Sequence, residues 1–246
     1  MSPGPALSTG RPRPWRNAWI VLLAGCPGIL SLAAVLPEVP GVPPAALLVQ
    51  PAFLLAGLAF AGTWAAARCG FLLAGGFRPA ERVGQGVFGL LLGLLIALAD
   101  HATRGFWQAA PGQPPSVLEG WRPSALLVGV LYGGVVEEVL FRWGALSLIA
   151  LGLRQVLARR VGRPPPWCVA IAVGLAALLF AASHLPALAA GGVMPGFGAA
   201  VRTVLLNAIA GAVFGLLFAM RDLLAAMVSH GAAHLGFTLA AMVRSA

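Results

Sequence analysis

The stretch TVLLNAIAGAVFGLLFAM, residues 203–220, decides the fold class because it contains no charged residue. Three other runs, 39–67, 83–99 and 164–183, also lack Asp, Glu, Lys and Arg. A helix needs roughly 20 apolar residues to cross the hydrocarbon core of a bilayer, and these runs approach or exceed that length. The sequence therefore predicts an all-α, polytopic membrane helix bundle.

The composition of the whole chain excludes an ordinary water-soluble domain. Hydrophobic residues make up 59% of the 246 residues and charged residues only 9%, whereas about 25% of the residues in a typical soluble domain are charged. Cys26, Cys69 and Cys168 are few, odd in number and scattered. This pattern argues against a disulfide framework or a cysteine-based metal site.

Apolar runs separated by proline and glycine predict seven membrane spans. The predicted spans are 17–36, 44–67, 83–100, 124–151, 167–190, 199–220 and 223–243. The chain is thereby divided into a cytoplasmic Arg- and Pro-rich tail at 1–16, the N-terminal helices 1–3 with an outer loop at 17–123, and a core of helices 4–7 at 124–246 that holds the candidate catalytic residues.

The arginines predict the orientation of this bundle. All 16 basic residues are Arg, and the net charge is +9. With the N-terminus in the cytoplasm, the seven spans place 11 arginines on the cytoplasmic side and 4 on the other, and leave Arg142 within a span. This asymmetry follows the positive-inside rule, so the charge indicates membrane topology and not a nucleic-acid partner. The Arg-only, Ala-, Gly- and Pro-rich composition favours a bacterial cytoplasmic (inner) membrane.

Two adjacent carboxylates, Glu137 and Glu138, lie in the middle of the fourth predicted span. A charged group at the bilayer centre costs at least about 2.5 kcal/mol, so each carboxylate needs a partner. Arg142 follows Glu138 by four residues and shares its helical face, where the two can form an ion pair. Glu137 points about 100° away and needs a different partner, a proton or water.

Histidines on two other spans are candidate partners for these glutamates. His184 lies near the end of the fifth predicted span, and His230 and His234 share one face of the seventh. A single histidine in a membrane often only hydrogen-bonds in helix packing, but three histidines and two glutamates on three spans indicate a shared site. His101, which follows Asp100 at the end of the third span, is interpreted as a solvated boundary residue.

The residue types of this site suit two kinds of chemistry. A glutamate in a water-poor pocket can act as a general base toward water, and histidines can hold that water or stabilise an oxyanion. These functions would hydrolyse a carbonyl substrate. Two histidines four residues apart, with a third histidine and a carboxylate, also suit a divalent metal such as zinc. The residue types alone do not choose between these two sites.

Three motifs follow one another on successive predicted spans of the core. They are Glu137-Glu138-x-x-x-Arg142, Phe180-x-x-x-His184 and His230-x-x-x-His234. This order resembles that of the CAAX prenyl protease and bacteriocin-processing (CPBP) family, the type II CAAX proteases, which are intramembrane endopeptidases. The resemblance covers roughly Leu126 to Thr238. It departs from the family at His234, where the family commonly has Asn.

The resemblance implies a role for each motif residue. Glu137 would activate the attacking water with the help of His184, and His230 and His234 would stabilise the oxyanion. Glu138 and Arg142, near Phe180, would form a supporting pair. A histidine at 234 can still donate a hydrogen bond, but it also strengthens the zinc alternative. The candidate metal ligands in that case are Glu137, His184, His230 and His234.

The sequence therefore predicts an intramembrane endopeptidase that cleaves a membrane-embedded or lipid-anchored protein or peptide in a glutamate-dependent reaction without a cofactor. Two alternatives stay open: a zinc-dependent protease, and a non-proteolytic membrane protein such as a bacteriocin self-immunity factor or a proton-relay transporter. One expectation conflicts with a shared site. Counted along straight helices, His184 lies about 25 Å from the cytoplasmic face and His230 only about 13 Å from it.

Overall fold

The computed structural model describes residues 14–37, 40–76, 78–108, 113–114, 116–119, 122–189 and 196–245, and within these residues it is all-helical with no β-strand. Seven of its helices are long and apolar enough to cross a membrane. They are α1, Pro14–Ser31; α2, Val49–Cys69; α3, Pro79–Ala102; α4, Pro123–Leu157; α5, Pro166–Ser183; α6, Phe197–Met220; and α7, Leu223–Ser245. Short helices cover Pro44–Leu47, Arg104–Trp107 and Leu185–Ala189.

The predicted fold class and the number of spans are confirmed. Proline opens α3, α4 and α5 at Pro79, Pro123 and Pro166, where its missing N–H costs no helical hydrogen bond. Large apolar side chains such as Leu95 and Leu205 point outward and are more than half exposed, at 63% and 56%. Such a surface suits contact with lipid. Most of the predicted tail at 1–16 lies outside the described residues.

Helix α4 is the central element of the bundle, and about half of it is not an ordinary α-helix. Residues Gly129–Glu137 and Val139–Leu146 are π-helical, with α-helical turns at both ends. The first half of α4 packs against α1 and α7, and the second half against α2 and α5. Trp143 in the second half donates from its indole nitrogen to the Thr63 hydroxyl of α2 at 2.9 Å. A wider π-helical turn is common at functional sites.

Glycines set close contacts between the helices that surround α4. In α6, a Cβ on Gly215 would lie 3.1 Å from Val173 of α5, and one on Gly211 would lie 3.1 Å from the Ala177 backbone. In α3, Gly89 and Gly93 pack directly on the α7 backbone at Ser229 and Ala233. Small residues at such positions allow membrane helices to approach closely.

The register of α5 against α6 corrects the predicted end of the fifth span. The chain was expected to remain helical to residue 190, but α5 ends at Ser183 and a separate short helix, Leu185–Ala189, follows. Because Val173 faces Gly215 and Ala177 faces Gly211, Ser183 is level with Leu205. Helix α5 therefore stops about 12 Å short of the start of α6. By the same register, His184 lies about 10 Å below the start of α6.

Candidate active site

A cavity of about 220 Å³ lies between α4, α5, α6 and α7. Four of the sequence-predicted site residues line it: Glu137, His184, His230 and His234. Phe180 also lines the cavity, whereas Glu138 and Arg142 lie behind its wall and are almost completely buried. The structure thus brings all seven predicted residues into one region, from three helices that are distant in sequence.

Glu137 lies between two histidines from different helices. Its Oε1 is 4.0 Å from Nε2 of His184, and its Oε2 is 4.0 Å from Nε2 of His230. Both distances exceed the 2.7–3.2 Å of a direct hydrogen bond. Among the described residues Glu137 makes no hydrogen bond, and its side chain keeps 15% of its exposure. A carboxylate is therefore presented to the cavity with room for one small group on each side.

His184 and His230 lie at different heights along their helices, and Glu137 lies between their side chains. The ring of His184 folds back toward the preceding turn of α5, where its Nδ1 donates to the carbonyl oxygen of Phe180 at 2.8 Å. A carbonyl oxygen only accepts, so Nδ1 carries the proton and Nε2 faces Glu137. The depth difference expected from the sequence is thus compatible with a shared site.

Glu138 is held in a different way from its neighbour. It is fully buried, and its Oε1 accepts from Nδ1 of His230 at 2.7 Å and lies 3.1 Å from a guanidinium nitrogen of Arg142. The ion pair with Arg142 on the same helical face was predicted from the spacing. The contact with His230 was not predicted, because nothing in the sequence sets the rotation of α7 against α4. Glu138 therefore joins the arginine to a histidine of the cavity.

Arg142 is surrounded by aromatic rings and one backbone oxygen. Its NH2 group donates to the carbonyl oxygen of Gly211 at 3.2 Å, and its Cζ lies 4.5 Å from the ring centre of Phe180 and 5.7 Å from that of Phe214. Cations over aromatic faces are stabilised by the ring quadrupole. The aromatic ring of Phe180, itself 4.7 Å from the His184 ring, thereby links the arginine to the cavity.

His234 occupies a groove made by two glycines of the π-helical segment. Its ring stacks on that of His230, with centroids 5.2 Å apart and planes 20° apart. A Cβ on Gly133 would lie only 2.6 Å from Nε2 of His234, and one on Gly129 would lie 2.6 Å from its Cγ. A larger residue at either glycine would collide with the ring. Among the described residues, His234 forms no ion pair with Glu137. Both side chains line the same cavity.

The wider turns of the π-helix determine which residues face the cavity. Val128, Tyr132, Gly133 and Glu137 all line it, at steps of four to five residues that match the i to i+5 hydrogen bonding of a π-helix. The sequence argument assumed ordinary α-helical spacing for this span, and it did not include Tyr132.

Polar residues of α6 were also missed. Arg202, Thr203 and Asn207 line the cavity beyond the histidines, and Asn207 donates to the Thr203 carbonyl oxygen at 2.8 Å. The signal that could have found Asn207 is its place as the sole amide in the uncharged run 203–220. His101, by contrast, is outside the cavity and hydrogen-bonds to Arg104, in keeping with its interpretation as a boundary residue.

The donor set of the cavity suits zinc in residue type but not in its present spacing. Within the described ranges, no group of three or more His, Cys, Asp or Glu side chains is arranged to hold a metal ion. Ligand atoms around a tetrahedral zinc ion are about 3.4 Å apart, whereas Glu137 and the histidine nitrogens are 4.0 Å apart. Binding zinc would require these side chains to close on the ion.

The comparison with known families found one match. Residues 119–236 match the family model of the Rce1-like type II CAAX prenyl endopeptidases, and all of the predicted site residues fall within that range. The matched segment is thus that of an intramembrane protease of the CAAX type. The match over residues 119–236 confirms the resemblance seen in the three motifs. No curated protein and no solved structure gave a match.

Proposed function

We propose that the chain is an intramembrane endopeptidase in which Glu137 activates a water molecule for attack on a peptide bond. The observation that carries this proposal is the position of Glu137 between two histidine nitrogens, each 4.0 Å away, in a cavity inside the helix bundle. A water about 2.8 Å from both Glu137 and His184 fits between them, with an angle of about 90° at its oxygen. The water can then donate to both groups.

The reaction uses the two sides of the cavity in turn. Glu137 takes a proton from the water while the oxygen attacks the peptide carbonyl carbon, and it then gives that proton to the leaving amine. The negative oxygen of the tetrahedral intermediate faces His230 and His234. His234 donates from a ring N–H group, whereas His230, whose Nδ1 proton is bound by Glu138, donates from Nε2 as an imidazolium. When His230 carries a proton on both nitrogens, Glu138 balances the charge of its ring through the 2.7 Å contact.

The substrate class follows from the walls of the cavity and from the family. Ile96, Val117, Leu206 and Phe237 line the cavity together with the polar residues, so one part of the substrate is apolar. The family acts on CAAX prenyl proteins by its name. A membrane-embedded or lipid-anchored peptide is therefore the proposed substrate, and the lipid bilayer is its route of delivery.

The first test compares wild-type protein with Glu137→Gln and His184→Ala on a prenylated CAAX-type peptide in proteoliposomes. A general base contributes about 10²–10⁴-fold, so Glu137→Gln should lower the cleavage rate by at least about 100-fold while the melting temperature stays unchanged. Glu81→Gln, at the exposed start of α3, is the matched control and should keep full activity. Full activity in Glu137→Gln or His184→Ala would rule out the assignment.

Two further experiments identify the natural substrate and test the zinc-dependent alternative. Inactive Glu137→Gln protein can retain its substrate in cells, and mass spectrometry of the bound peptides then identifies it. The residues that would bind zinc are Glu137 and the cavity histidines, and the ion would polarise the attacking water there. Stoichiometric zinc in the purified protein, with loss of activity in chelator, would replace the metal-free reaction by the zinc-dependent one.

A further inference from the structure

A second pocket lies where α4 ends and the chain turns toward α5, and the proposed reaction uses none of its residues. It has a volume of about 320 Å³ and is lined by Arg154, Gln155 and Arg159. These residues occupy the last turn of α4 and the loop after it. We call these three residues the arginine pocket.

The charge around the arginine pocket is not compensated locally. Arg160 and Arg163 follow its two arginines in the same loop, and no acidic residue occurs between Glu138 and Asp222. In the part of the chain that the structure describes, none of these four arginines forms an ion pair with a carboxylate. Four positive charges are thus concentrated at one end of the bundle and attract an anion.

The two arginines of the pocket are held in place by backbone oxygens. Arg154 donates from NH1 to the carbonyl oxygens of Val161 and Gly162 at 3.2 and 3.5 Å, and Arg159 donates from Nε to that of Gln155 at 2.5 Å. Guanidinium groups held in this way are preorganised, and their remaining N–H donors suit a planar or tetrahedral oxyanion.

Apolar side chains beside the pocket locate it at the membrane boundary. Val156, Leu157 and Val161 are 69%, 60% and 47% exposed, and the large ring of Trp167 nearby is 46% exposed. Such side chains are unfavourable in water but are common in the headgroup layer, where Trp and Arg are also enriched. Such surroundings fit a position of the arginines at the level of the lipid phosphates.

We propose that the arginine pocket binds the phosphate of an anionic phospholipid headgroup. Basic pockets next to membrane helices recognise such headgroups through charge and hydrogen bonds to the phosphate oxygens. Free phosphate offers the same chemistry, but the exposed apolar residues next to the pocket favour a ligand that also has acyl chains. This proposal does not depend on the proteolytic function.

The test measures lipid retained by the purified protein in native mass spectrometry, with phosphatidylglycerol as the anionic probe and phosphatidylcholine as the neutral one. Wild-type protein should retain one phosphatidylglycerol tightly. Arg154→Gln/Arg159→Gln should bind it more than about 30-fold more weakly, because each arginine near the surface contributes about fivefold by charge alone and these two also donate hydrogen bonds to the phosphate. Arg160→Gln/Arg163→Gln removes the same charge from the same loop without touching the pocket and should cost no more than the contribution of charge alone.

Four outcomes would overturn the proposal. Equal losses in the two double variants would show diffuse attraction without a site, and equal retention of the two lipids would show no recognition of charge. Displacement of phosphatidylglycerol by millimolar inorganic phosphate would assign the pocket to free phosphate. If the first double variant fails to fold, Arg154→Lys keeps the charge but loses the planar guanidinium group, and it should weaken binding at least severalfold; unchanged binding would be the fourth outcome.

Discussion

Glu137 and Asp222 are two carboxylates that the same bundle holds in opposite ways. Asp222, in the turn between α6 and α7, is fully buried and accepts four hydrogen bonds: two from Arg82, one from the Gly75 N–H and one from the Ala225 N–H, at 2.5–2.8 Å. Glu137 makes none among the described residues and faces a cavity. A saturated carboxylate fixes structure, whereas an unsaturated one beside two histidines is available to a substrate or to water.

The surroundings of Asp222 explain why its role is structural. The N–H groups of Leu223 and Leu224 donate to the carbonyl oxygens of Leu72 and Leu73, so the start of α7 is tied to the loop between α2 and α3. Burial by itself raises the pKa of Asp222, but the hydrogen bonds from Arg82, Gly75 and Ala225 outweigh it, and the net pKa is lowered. Asp222 therefore caps α7 as an ion, with Arg82 as its counter-charge.

Glu138 stands between these two extremes, and removing its partner gives the largest expected effect on stability. Arg142→Met leaves Glu138 buried with no cation, which should lower the free energy of unfolding by about 3–5 kcal/mol. Adding Glu138→Gln to this variant should recover much of the stability but not the cleavage activity, because the charge that orients His230 is gone. The measurements are thermal unfolding in detergent and peptide cleavage. Wild-type stability of Arg142→Met alone would contradict the ion pair.

A smaller effect is expected at the glycine groove of His234. Gly133→Ala places a methyl group where the His234 ring now lies, and a displacement of about 1 Å in an active site can lower the rate by about 100-fold. The double variant Gly133→Ala/His234→Asn has room for the methyl group and should recover cleavage. Gly174→Ala, on α5 with no neighbouring atom within 4 Å of the new Cβ, is the control. If the double variant does not recover cleavage, the loss in Gly133→Ala does not come from a collision with the His234 ring.

The smallest effect is expected at Asp222, where activity should be retained. Asp222→Asn loses the charge paired with Arg82 and should cost about 1–3 kcal/mol of stability at neutral pH. Because the folded state lowers the pKa of Asp222 below the usual value of about 3.9, its stabilisation is present above that value and is lost as the pH falls through the folded pKa. The difference in melting temperature between wild type and Asp222→Asn should therefore shrink below about pH 4. A loss of cleavage without a loss of stability in Asp222→Asn would contradict the structural role of Asp222.

Much of the candidate site could be predicted from the sequence because its signals are local. Charged residues are so costly in a bilayer that Glu137 and Glu138 stand out in any uncharged span, and the step of four residues places Arg142 beside Glu138. The contact of Glu138 with His230 and the groove around His234 could not be predicted, because they depend on the rotation and depth of α7 against α4. Asn207 was overlooked although it is the sole amide in the uncharged run 203–220, because an uncharged amide is a weaker signal than a charged group.

The sequence by itself determined that this chain is a seven-span helix bundle with ionisable groups inside three of its spans, because hydropathy and charge cost act residue by residue. Only the tertiary structure decided which of those groups face the cavity and which are buried in the core. Glu137 faces the cavity and Glu138 is buried in the core, and His184, directly after the end of α5 at Ser183, lines the same cavity. Helix register and packing depend on contacts between distant segments, which no single stretch of sequence contains.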